Sequence, residues 1–211
     1  MANIKTQGIV LGALQTNCYV VSNVDTKECL VIDPAADADF ILKYCNDNDL
    51  NIVAIFLTHG HFDHIGAVPE LKKKLPDVKI YAGLEEKDVL GNAAVNMSTD
   101  FAGAITFAAD CYVDDNEVVD IIGTKVKCLH LPGHTKGGMG YYFEDGGMIF
   151  SGDTLFFMSV GRSDFPTGNE ALLLESIEKK IFTLPDDTIV YSGHGNKTSV
   201  RREKAANPFF D

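Results

Sequence analysis

The segment Thr58-His59-Gly60-His61-Phe62-Asp63-His64 narrows what this chain can fold into more than any other stretch of it. Three imidazoles and one carboxylate fall within six consecutive residues, directly after the near-continuous apolar run Ile52 to Leu57. An apolar run of that length reads as a strand buried on both faces, so the polar cluster is delivered to the end of a buried strand. Gly60 lets the backbone turn sharply between the imidazoles. Neutral imidazole and carboxylate suit zinc, iron or manganese rather than a thiolate-seeking ion such as Cu(I). Without a metal, so many polar groups buried together would stay unsatisfied, at roughly 2–7 kcal/mol each.

Two further histidines occupy similar settings, His134 in Leu131-Pro132-Gly133-His134-Thr135 and His194 in Tyr191-Ser192-Gly193-His194-Gly195. Asp153 ends the apolar strand Met148 to Phe150 in Ser151-Gly152-Asp153-Thr154. Five of the six histidines thus fall in Gly-flanked, strand-end turns, and with Asp63 and Asp153 they make seven candidate ligands. One tetrahedral zinc takes three protein ligands and a water, so this set fits two metals that share a bridging carboxylate. Such a pair lowers the pKa of bound water to about 7 and polarises a carbonyl oxygen, which points to hydrolysis of an acyl bond.

Elsewhere the chain alternates short strands and helices. Ile4 to Leu11, Cys18 to Ser22 and Cys29 to Ile32 read as a strand meander. From Asp37 the apolar period becomes helical through Cys45, and after a loop at Thr58 to His64 a second helix runs to Leu75, stopped by Pro76. A strand at Val78 to Tyr81 and a short helix from Leu84 follow. Residues 91–109, uneven and poor in charge, read as a long loop of the kind that covers a substrate. Strands are expected at Glu117 to Ile122, Lys125 to His130, Gly140 to Phe143, Met148 to Phe150 and Thr188 to Tyr191, with helices at Asn169 to Phe182 and Ser199 to Ala206. This order gives an α+β class with two sheets face to face and helices outside. No low-complexity linker interrupts it, so residues 1–211 are expected to form one domain.

Composition removes several classes of partner. The net charge is −12, and Lys72-Lys73-Lys74 is the one basic run, which argues against nucleic acid and anionic membranes. No apolar run approaches the 18 or so residues that span a bilayer. The five cysteines are odd in number, widely spaced and free of any Cys-x-x-Cys pair, and Met1 to Val10 holds no apolar leader core. They read as reduced thiols of a cytoplasmic protein.

The motifs at 58–64, 132–135, 151–154 and 192–195 resemble, in order and spacing, the metal motifs of the metallo-β-lactamase superfamily. Gly161-Arg162-Ser163-Asp164 and the tail from Arg201 to Phe209 are similar to short members of its glyoxalase II-like (hydroxyacylglutathione hydrolase-like) branch. The resemblance implies an αββα sandwich of two facing mixed sheets. It implies that His59, His61 and His134 hold one divalent metal, that Asp63, His64 and His194 hold a second, and that Asp153 bridges them. Zinc is the first expectation, with iron or manganese as alternatives. Hydroxide between the metals would be the nucleophile, and Asp63 the catalytic group that orients it and later hands a proton to the leaving group. The substrate class implied is a small-molecule ester or thioester, foremost a 2-hydroxyacyl thioester such as S-lactoylglutathione.

Other readings attach to the same motifs: an acyl-lactone hydrolase, a mononuclear iron persulfide dioxygenase, or a non-catalytic metal-binding module on the same fold. Antibiotic β-lactamases with a two-metal site usually carry Cys or Ser where Asp153 stands, and a flavodiiron reductase would need Glu at position 61. Full-length glyoxalase II adds a helical segment with basic residues for glutathione, whereas only residues 195–211 follow His194 here. Arg162 has two readings, a partner for a substrate carboxylate or a salt bridge with Asp164. Asp33 is either an orienting carboxylate behind the His59 turn or an ordinary turn residue, and His130 reads as a packed histidine rather than an eighth ligand.

Overall fold

The computed structural model describes residues 2–210. Its first sheet opens with the antiparallel strands β1 (Ile4–Leu11), β2 (Thr16–Asn23) and β3 (Glu28–Ile32). Helix α1 (Ala38–Asp47), whose first turn is capped by the Asp37 carboxylate, crosses to β4 (Asn51–Phe56), which lies parallel to β3. The short helices α2 (Phe62–Ile65) and α3 (Val68–Lys74) lead to β5 (Lys79–Gly83). A 3₁₀ turn at Leu84–Glu86 runs into α4 (Lys87–Leu90), and α5 (Ser98–Phe101) precedes the parallel edge strand β6 (Cys111–Val113).

The second sheet begins with four antiparallel neighbours, β7 (Val118–Ile121), β8 (Thr124–His130), β9 (Met139–Phe143) and β10 (Met148–Gly152). A small hairpin, β11 (Leu155–Phe156) with β12 (Ser159–Val160), precedes α6 (Glu170–Ser176), which continues as a π-helical turn at Ile177–Ile181. Strand β13 (Ile189–Ser192) returns parallel to β10 and pairs with β14 (Thr198–Ser199), and α7 (Val200–Ala206) follows. The strand orders are β1-β2-β3-β4-β5-β6 and β14-β13-β10-β9-β8-β7, so each sheet mixes parallel and antiparallel pairs.

Three apolar cores separate four layers, which is the expected αββα sandwich. Between the sheets, Leu30, Ile32 and Phe56 meet Tyr141, Phe143 and Phe150. The alternate residues Val31, Ile55 and Leu57 face outward onto Ile41, Cys45 and Leu71 of the first helical layer. On the other side Tyr142, Ile149 and Val190 pack on Leu173, Ile177 and Val200. Strands buried on both faces have no solvent side to alternate with, which is why their sequences are continuously apolar. Among the described residues no helix is long and apolar enough to cross a membrane.

Four local expectations are corrected. Thr58 to His64 is not all loop, since Asp63 and His64 sit on the first turn of α2, and the helix expected to run on to Leu75 is broken into α2 and α3. At Gly66 the chain passes so close to the Ala35 carbonyl that a Cβ would lie 2.2 Å from its oxygen. The stretch 91–109 holds α5 and is tied by Asn96, whose carbonyl accepts from the Phe62 N–H and whose amide donates to the Ile105 carbonyl. The helix expected over 169–182 is α-helical only to Ser176. Strands β6, β11, β12 and β14, of two or three residues each, are too short to show a period.

Candidate metal centre

All seven candidate ligands arrive at one edge of the sandwich because each follows the C-terminal end of a strand. His59 and His61 follow β4, with Asp63 and His64 one turn later on α2. From the opposite sheet come His134 after β8, Asp153 after β10 and His194 after β13. Strands β10 and β13 are parallel, and β8 lies two antiparallel steps from β10, so all three deliver their turns to the same end. Gly193 lets β13 close on this cluster, since a Cβ there would stand 2.1 Å from Asp153 Oδ1.

The ligand-type atoms form three overlapping triads: His59, His61 and His134; Asp63, His64 and His194; and His59, His64 and Asp153, each within 4.8 Å. Asp153 faces both sides, with Oδ1 3.4 Å from His64 Nε2 and Oδ2 3.7 Å and 3.5 Å from Nε2 of His134 and His194. His59, His61, His64 and His134 are buried, and His194 is the most open of the seven. His59 Nε2, His61 Nε2, His64 Nε2 and Asp153 Oδ1 are buried with no hydrogen-bond partner. Native interiors rarely leave such atoms bare, and His59, His64 and Asp153, whose ligand-type atoms lie within 4.8 Å of one another, bring three of them together as a cation site would. His61 Nδ1 and His134 Nε2 stand 2.9 Å apart, and His134 Nδ1 is already spoken for, which suits a shared positive centre.

The far sides of the rings are held by the protein. His64 Nδ1 donates to Asp33 Oδ2 at 2.9 Å, His134 Nδ1 to the Arg162 carbonyl at 2.7 Å, and His194 Nδ1 to the Leu14 carbonyl at 3.1 Å. A ring so fixed presents Nε2 as a lone pair toward the cluster. Asp33 also accepts from the Thr58 N–H and hydroxyl, so of its two readings the orienting one is realised. The Thr16 hydroxyl donates to Asp63 Oδ2 at 3.0 Å.

Burial sets the electrostatics. It pushes His59 well below the ordinary imidazole range and takes His61 to about 3, with His134 adding to the shift on both. Burial also opposes ionisation of Asp63 and Asp153, but the neighbouring imidazoles, His64 foremost, outweigh it; Asp63 falls below its ordinary value and Asp153 to about 2. His64 moves up, because Asp63, Asp153 and Asp33 together overcome its burial. Three carboxylates around one imidazole favour positive charge at that point, which a divalent ion supplies more fully than a proton.

Glu86, which the sequence did not mark, braces the centre. It is fully buried and its Oε2 accepts from the Gly60 N–H at 3.0 Å, between His59 and His61. Its Oε1 accepts from the Thr135 hydroxyl, beside His134, and from the Gly137 N–H at 3.2 Å. One carboxylate thus ties the turn from each sheet to the other. Burial pushes its pKa up to about 7, against the pull of these three donors. Its setting, Leu84-Glu85-Glu86-Lys87, has the charge of a surface turn and no signal that would have found it.

A cleft of about 470 Å³ opens over the cluster. Leu14, Phe62, Met97, Phe101, Phe156 and Phe165 wall it, and Arg162 stands at its rim. The guanidinium of Arg162 makes two bonds to Asp164, at 2.9 and 2.8 Å, and lies over the Phe165 ring at 4.1 Å. His130 lies outside the cluster, with Nε2 bonded to the Lys136 carbonyl.

Comparison with known proteins agrees with this geometry. Residues 11–194 match the family model described as metallo-beta-lactamase superfamily. The probable metallo-hydrolase YqgX of Bacillus subtilis is 37% identical over 99% of this chain and 98% of its own. The hydroxyacylglutathione hydrolase GloC of Haemophilus influenzae is 34% identical over 96% of each. Among solved structures, the BLEG-1 B3 metallo-beta-lactamase superposes with a TM-score of 0.92 at 39% identity, covering 98% of this chain and 99% of that one. TTHA1623, solved in a di-iron-bound form, gives 0.83 at 33%, covering 96% and 99%. Layer order, strand-end histidines and sequence relatives agree, and the chain belongs to the metallo-beta-lactamase superfamily of metal-dependent hydrolases.

Proposed function

We propose that this chain is a single-domain, binuclear thioester hydrolase of the glyoxalase II-like kind, acting on a small 2-hydroxyacyl thioester. His59, His61 and His134 would hold one divalent ion, Asp63, His64 and His194 the other, and Asp153 would lie between them. The observation that carries the reading is the set of three bare buried atoms, Nε2 of His59 and His64 and Oδ1 of Asp153, from residues whose ligand-type atoms lie within 4.8 Å of one another. Five imidazoles and two carboxylates suit zinc, and the di-iron form of TTHA1623 makes iron the alternative. Bound there, two such ions supply Lewis acidity and hydroxide at neutral pH.

The protein's own groups do the rest. Asp63 is ionised and open to the cleft, and Thr16 fixes its Oδ2, so it would orient the attacking hydroxide and, as the acyl carbon–sulfur bond breaks, pass the proton left on that oxygen to the departing thiolate. Asp33, the Arg162 carbonyl and the Leu14 carbonyl keep the rings aimed while charge develops. The apolar walls exclude competing water from the acyl carbon.

The test is steady-state hydrolysis of S-lactoylglutathione by purified protein, with elemental analysis of the same sample. Turnover with about two metals per chain is expected from a two-metal site. Full turnover by protein stripped of metal would overturn the reading. The likeness to BLEG-1 favours one second reading, cleavage of a β-lactam amide, tested with a chromogenic cephalosporin on the same sample.

A further inference from the structure

We propose that the cleft selects thioesters whose non-reacting part is apolar, an alkyl or aryl group, over those carried by a charged peptide thiol such as glutathione. This rests on the thioesterase reading above and names its substrate class.

The chemistry of the lining carries the inference. Its polar members, His61, Asp63, His134, Asp153 and His194, all belong to the candidate metal cluster, and apart from Arg162 the remainder is apolar. Among the described residues no Ser, Thr, Asn, Gln, Tyr or Lys side chain lines the cleft to receive the amides, carboxylates or ammonium of a peptide thiol. Among the described residues Arg162 is the sole cation of the lining outside the histidines, and it is already engaged. Asp164 takes its guanidinium edge through two bonds and neutralises its charge, while Phe165 takes its flat side at 4.1 Å. A substrate carboxylate would meet a guanidinium whose charge Asp164 already offsets, and would gain less than from a free cation.

The apolar walls, by contrast, are built and left open. Phe101 is 64% exposed and Leu14 52% exposed, although both border a polar cluster. Phe101 does not hang free: its ring stacks on Phe62 at 4.8 Å and 10°. The segment bearing it is tied to Phe62 and Ile105 through Asn96. Phe165 stands 5.6 Å from the His61 ring on one side of the cluster, and Phe156 6.3 Å from the His194 ring on the other. Aromatic surface held rigidly around the reacting position gains most from covering an apolar group, because little order remains to be lost on binding.

The test is a series of lactoyl thioesters on metal-loaded protein: ethyl, butyl, hexyl and benzyl thiols, and glutathione. Full burial of a methylene gives about a fourfold gain, and half-burial in this open cleft about twofold. The expected result is a rise of kcat/KM by about twofold per methylene, or about fifteenfold from ethyl to hexyl, with the glutathione thioester below the hexyl and benzyl ones. Phe101→Ala should lower the hexyl-to-ethyl ratio by about fivefold, a change in slope that general damage to the site would not produce. A flat alkyl series, or the glutathione thioester as the best substrate, overturns the inference and leaves the thioesterase reading standing. Failure to hydrolyse any member, with two metals bound, overturns the thioesterase reading itself.

Discussion

Removing the Glu86 side chain tests whether the two histidine turns are held together by one buried carboxylate. Glu86→Ala takes the acceptor from the Gly60 N–H, the Gly137 N–H and the Thr135 hydroxyl, and Thr135 and Glu86 are both fully buried. A buried donor left without a partner costs about 1–3 kcal/mol, so three of them amount to about 3–6 kcal/mol after partial relaxation. In a chain of 211 residues each kcal/mol is worth about 2–4 °C, which places the expected fall in Tm at about 6–24 °C. Thermal unfolding of chelator-treated protein by circular dichroism measures it without a metal contribution. A second arm uses pH. The Glu86 carboxyl is raised from 4.5 to about 7, so the folded state binds its proton more tightly than the unfolded chain does. The stability this gives is complete below the unfolded value and is lost as pH rises through about 7, a change of about 3 kcal/mol. Glu86→Gln has nothing to titrate, so the stability of the wild type relative to this variant should fall by that amount between pH 4.5 and pH 8. A Tm for Glu86→Ala within about 2 °C of the wild type would refute the brace, and a wild-type-to-Gln difference independent of pH would refute the burial-raised carboxyl.

Other expectations follow from the same geometry. His59→Ala and Asp153→Ala should each lose bound metal and hydrolysis together by elemental analysis and turnover, and full turnover in either would sink the proposed ligand set. Asp33→Asn weakens the acceptor behind His64 and Thr58, and should raise the metal dissociation constant by about 10- to 100-fold with the fold intact; an unchanged metal titration would count against its orienting role. Arg162→Ala should change KM for S-lactoylglutathione by less than about twofold, since Asp164 already satisfies the guanidinium; a tenfold rise would make Arg162 a substrate contact. Gly193→Ala places a methyl group 2.1 Å from Asp153 Oδ1 and should displace that carboxylate, seen as reduced metal content at near-native circular dichroism.

The chemistry of the centre was legible because ligand type and strand end are both local properties. Imidazole and carboxylate at Gly-flanked turns after apolar runs identify themselves at residues 58–64, 134, 153 and 194, and the same runs betray strands covered on both faces. Asp33 was half legible, an Asp at a strand end whose partner, His64, lies 31 residues away. What the sequence determined by itself was therefore the candidate donor set, the layered class and the family resemblance. Tertiary structure alone decided the rest. Which turns meet depends on β10 pairing with the distant β13 as well as with its neighbour β9, and on the two sheets stacking with their strand ends at one edge. Glu86 is buried only because Gly60 from one sheet and Gly137 from the other close over it, so a residue charged like a surface turn becomes the tie between them. The cleft's character has the same origin: Leu14, Phe101 and the pair Phe156 and Phe165 come from three distant stretches of the chain. Their shared wall is a property of packing, where non-local contacts rather than local preference set each side chain's surroundings.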